Sequence, residues 1–91
     1  MSSMNEQEIT DQLTKEGFGE VSVYEDKPDF EYATHTHEKL TAHFILAGSM
    51  NLTDVSGTKE LAVGERFDIP AGTVHSAKMG HLGCKYVIGE K

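Results

Sequence analysis

Ninety-one residues make one small domain with little core to spare. The formal charge of −7 is concentrated at the front: nine acids stand against Lys15 and Lys27 in residues 1–31, and six acids against six bases in residues 32–91. No Lys/Arg cluster exists to neutralise several phosphates, which argues against nucleic acid and anionic membrane surfaces as partners, and the single Cys84 excludes an intrachain disulfide.

Met1 to Glu6 has no basic region and no apolar run, so no signal peptide is expected and the cytoplasm is the default location. The longest apolar stretch, Phe44-Ile45-Leu46-Ala47, is far too short to span a bilayer. Asn5 followed by Glu8 has the capping-box spacing, Ile9 and Leu13 share a helical face, and Gly17 is a natural stop. This predicts a helix over 6–16, packed on the rest of the chain by Ile9, Leu13 and Phe18, with its acids on a solvated face.

From Glu20 the pattern changes to short β segments between turn signals, and strands are expected near 20–24, 30–36, 40–47, 50–55, 59–63, 66–69, 73–79 and 84–88. The breaks include Gly48-Ser49 and Gly80 to Gly83. Eight short, evenly spaced segments point to an all-β barrel or sandwich over 20–88 within a single domain of residues 1–91. Closure would remove the sheet edges, and pairing through a sheet face would add burial, so a homodimer is expected.

All five histidines fall in two windows. His35 and His37, two apart on a strand, aim at one side, with His43 nearby. The tripeptide alone reads as an ordinary polar strand face. The second window changes the balance: Gly64, then a strand, then the Pro70-Ala71-Gly72 turn, returns the chain so that His75 begins the next strand. Imidazole in its neutral form is a ligand for Fe, Ni, Mn, Zn and Cu, and His75 is expected to be placed where it can complete a site with His35 and His37.

At this point the sequence resembles the cupin superfamily. The first cupin motif runs His-x-His, three or four residues, Glu, six residues, Gly; His35, His37, Thr41 and Gly48 follow that spacing. The second places Gly, Pro, Gly and His as Gly64, Pro70, Gly72 and His75. The resemblance implies a jelly-roll barrel (a double-stranded β-helix) with a divalent metal on His35, His37 and His75. Three positions depart from it. Thr41 replaces the acidic ligand, Met79 replaces an asparagine, and Phe30 to Thr34 stands where a preceding glycine is expected.

Thr41, His43, Met79 and His81 are expected to line the pocket. Ser76 and Lys78 would face outward, and His75, Ala77, Met79 and His81 inward. His43 is the candidate acid/base beside the metal, with a fourth ligand or a plain lining residue as its other readings. Phe30, Tyr32, Phe44, Phe67, Met50 and Met79 are candidates for the cavity wall or simple core, and Cys84 reads as core. The expected function is binding or transforming a small anionic or chelating molecule, by dioxygenase or isomerase/lyase chemistry if an enzyme. The alternative is a non-catalytic ligand-binding or sensing module without essential metal.

Overall fold

The computed structural model describes residues 5–91, so the expectation about Met1 to Met4 lies outside the described residues. Helix α1 spans Glu6–Lys15. Asn5 Oδ1 accepts from the Glu8 amide at 2.8 Å, and the Glu8 carboxylate accepts from the Asn5 amide at 3.2 Å, which closes the expected capping box. Ile9, Leu13 and Phe18 bury against Ala42 and Val87 on the outside of the barrel. Not every helix acid is merely solvated. Glu16 takes a two-pronged pair of bonds from Arg66 at 2.7 and 2.8 Å, tying the helix end to the sheet.

Six strands follow: β1 Glu20–Asp26, β2 Glu31–His35, β3 Thr41–Asp54, β4 Gly57–Ala62, β5 Arg66–Ile69 and β6 His75–Glu90. Two expected breaks are therefore not turns. Gly48-Ser49 lies inside β3 and Gly80 to Gly83 inside β6, so four expected strands join into two long ones. Each long strand changes partners along its length. The first half of β3 pairs with β5 and with the second half of β6, which also holds β1; the second half of β3 pairs with β4 and with the first half of β6, which also holds β2. The result is two antiparallel four-stranded faces built from eight strand segments, the jelly-roll arrangement.

The bend is carried by glycines in the left-handed region, Gly48 at φ 73° and Gly83 at φ 77°. A Cβ on Gly48 would sit 2.0 Å from the Gly83 carbonyl oxygen, and one on Gly83 would sit 2.6 Å from that of Asp26. The ladder between β3 and β6 slips on either side of this contact, as bulges require. Alternation then sorts the side chains. Ile45, Met50, Leu52, Leu61, Ile69, Met79, Cys84 and Tyr86 form the interior, with Phe30, Tyr32 and Phe67 packed on it, while Phe44 faces the helix cluster instead.

Candidate metal and ligand site

His35 ends β2 and is the cross-strand partner of His75, which begins β6. His37 lies two residues past the end of β2. Its position is fixed by the Pro70-Ala71-Gly72 turn, whose Gly72 amide donates to the His37 carbonyl at 2.9 Å with Gly72 at φ 79°. The turn thus does two things: it starts β6 at His75 and holds the backbone of His37. Ring centroids of the three imidazoles lie 4.3–4.8 Å apart, and one ligand atom from each falls within 4.8 Å of the others.

The oxygen neighbours of the ring nitrogens assign their protons. Nδ1 of His35 faces the Ala33 carbonyl at 2.5 Å, and Nδ1 of His75 faces the Thr73 carbonyl at 2.9 Å. A carbonyl only accepts, so both rings are protonated at Nδ1. Nδ1 of His37 meets Thr41 Oγ1 at 3.1 Å, and that hydroxyl donates its own proton to the Lys39 carbonyl at 3.2 Å. Thr41 therefore accepts from His37, which is also protonated at Nδ1. All three Nε2 atoms are left with lone pairs, and those of His35 and His37 approach to 3.1 Å. Two lone pairs facing each other repel, so this arrangement is suited to a cation between them. His37 is held below the usual histidine pKa, first by burial and then by the neighbouring rings of His75 and His35.

Thr41 is fully buried and does not line the cavity; it stands behind His37 and orients it. His43, two residues further along β3, lines the cavity at 6% exposure, and its Nδ1 has no partner. Burial, helped by the rings of His37 and His75 and opposed by the Phe67 backbone and Asp68, lowers its pKa to about 4. It is therefore neutral at neutral pH, and among the described residues it lies outside the three-histidine cluster.

Two further pocket expectations are corrected, besides that for Thr41. Met79 is 1% exposed and belongs to the apolar interior, while the side chain of His81 is 93% exposed and faces Asp29 across 3.0 Å. The inward alternation from His75 holds through Ala77 and Met79, then the bulge at Gly80 to Gly83 turns His81 outward.

The cavity measures about 160 Å³ and continues from the histidines past Met50, Leu52 and Ala77 to Tyr24, Tyr32, Tyr86, Ile88 and Glu90. Tyr32 and Tyr86 both donate to Asp26 Oδ2, at 2.9 and 2.8 Å. Glu90 is the cross-strand neighbour of Thr41 and the one carboxylate among the residues lining the cavity. Sequence reading missed it because it ended the last strand at 88; the period-two run Tyr86, Ile88, Glu90 is the signal that would have found it.

No protein-family model and no curated protein matches the sequence. Solved structures do. A cupin-2 domain protein from Shewanella frigidimarina superposes with a TM-score of 0.68 at 22% identity, over 77% of this chain and 67% of that one. Bacillus subtilis oxalate decarboxylase, a protein with Mn(II) centres, gives 0.69 at 20% identity over 78% of this chain and 20% of its own. KdgF from Halomonas gives 0.69 at 15% identity, over 78% and 67%. The chain has the cupin fold, and it spans a fifth of the length of the oxalate decarboxylase it resembles.

Proposed function

We propose that this chain is a small metal-binding cupin in which His35, His37 and His75 hold one divalent transition metal and the adjoining cavity takes a small anionic or chelating molecule. The observation that carries this reading is the cluster of three imidazoles whose Nδ1 atoms each face an oxygen, with Nε2 of His35 and His37 3.1 Å apart. Two imidazoles bound at about 2.1 Å to one ion put their nitrogens roughly 3.0 Å apart on adjacent octahedral positions and roughly 3.4 Å apart in a tetrahedron. The 3.1 Å between Nε2 of His35 and His37 falls inside that interval. Iron, nickel, manganese, zinc and copper all accept imidazole, so the donor set does not choose among them.

A bound ion with three neutral ligands keeps its full charge, which polarises an anionic ligand and lowers the pKa of coordinated water. The chain supplies the rest. His43, neutral and buried in the cavity wall, is the group suited to take or give a proton on the bound molecule, and Glu90 is the one carboxylate among the residues lining the cavity. Metal analysis of protein purified without a nickel column tests the reading. The wild type is expected to retain close to one ion per chain and His75→Ala almost none. Thr41→Val, which removes the acceptor for His37 Nδ1, should bind roughly 10- to 100-fold more weakly. Equal metal in wild type and His75→Ala overturns the site.

A further inference from the structure

We infer that the cavity selects a short bifunctional ligand, with an anionic group at the histidines and a hydrogen-bond donor, a hydroxyl or an amine, at the Asp26–Tyr32–Tyr86 cluster. The inference rests on the metal reading above and adds the chemistry of the other end. Each phenol has one proton, and both protons are committed to the same oxygen of Asp26. What Tyr32 and Tyr86 have left for a ligand is lone pairs. A donor on the ligand completes a chain from ligand to tyrosine to carboxylate, in which each bond polarises the next. An anion would meet phenol oxygens backed by a negative charge, so this end rejects the group that the histidine end favours.

Spacing and volume limit the ligand further. Tyr32 is three residues from His35 on β2, at most roughly 10 Å along the strand. The cavity of about 160 Å³ is open to solvent on one side, and within its walls it has room for on the order of six non-hydrogen atoms. Tyr24 stacks edge-on against Tyr86 with centroids 5.8 Å apart, which holds the Tyr86 ring in place beside Asp26.

The test titrates cobalt-loaded protein with propionate, 3-hydroxypropionate and β-alanine, following the visible spectrum of the metal and the heat of binding. Wild type is expected to bind the hydroxy and amino acids about tenfold more tightly than propionate, the effect of one added hydrogen bond. In Tyr86→Phe and Tyr32→Phe the rings remain and the preference should fall to about one. Equal binding of the three acids by wild type overturns the inference while leaving the metal site standing. So does a preference that survives in the folded phenylalanine variants, because it would then come from chelation at the metal. Failure of the wild type to take up cobalt overturns both.

Discussion

His43 differs from the other cavity imidazoles in having no carbonyl or hydroxyl on Nδ1, and its burial makes its protonation a stability term. Its pKa is about 4 in the fold against 6.5 for an ordinary histidine. Below 6.5 the unfolded chain takes a proton that the native chain refuses, so stability falls as pH drops from 6.5 toward 4. Between pH 7.5 and 5 that amounts to about 2 kcal/mol, at about 1.4 kcal/mol per unit. Metal-free wild type should lose at least that much in urea melts across this interval, since His37 shifts in the same direction. His43→Gln should show a profile flatter by about 2 kcal/mol; parallel profiles would mean that His43 charges freely in the fold. Glu16, held down to about 2 by Arg66, acts only below 4.5 and leaves this window untouched. At this scale the three cluster histidines were legible because two short motifs set their spacing. The role of Thr41 was not, since it depends on where one hydroxyl sends its proton. His81 was misplaced because strict alternation was carried through a bulge.

The long strands show why turn residues can mark a bend without ending a strand. Gly48 and Gly83 have the positive φ that a turn needs, yet each continues a ladder that shifts register around it. Eight segments were therefore readable, and their fusion into six strands was not, because a bulge and a turn call for the same residue. Asp29 makes a related point: it takes φ 61°, a conformation glycine adopts most easily, immediately before the Phe30 to Thr34 stretch that stands in place of the motif's glycine. The bend brings both halves of β3 and β6 around one interior, with His43 and Tyr86 on one face and His75 and Ala77 on the other. Gly48→Ala should cost more than about 3 kcal/mol or abolish folding, since its Cβ would overlap the Gly83 carbonyl and its φ is strained for any L side chain. Gly19→Ala, with no atom within 4 Å of the added carbon, should stay within about 0.5 kcal/mol. Comparable melting of the two variants would count against the bulge as the hinge of the barrel.

For the whole molecule, the barrel brings together groups that are remote in sequence. His35 and His75 pair across β2 and β6, Thr41 and Glu90 across β3 and β6, and Asp26 collects Tyr32 and Tyr86 from two strands. The helix closes the outer face, where Gly89 leaves room for Phe18 and Leu13. No helix among the described residues is long and apolar enough to cross a membrane. The architecture was legible from the motifs and strand spacing, whereas the tyrosine end of the cavity needed the register, which no local pattern supplies. We propose that His35, His37 and His75, each protonated at Nδ1, turn Nε2 to one metal. Long-range proton–nitrogen NMR on labelled, metal-free protein titrated with zinc tests it most directly. The Nε2 resonances of His35, His37 and His75 are expected to move together to the metal-bound range at one equivalent, while His43 and His81 keep unligated nitrogens. Zinc shifts at His43 or His81, or no concerted change in the three, would contradict it.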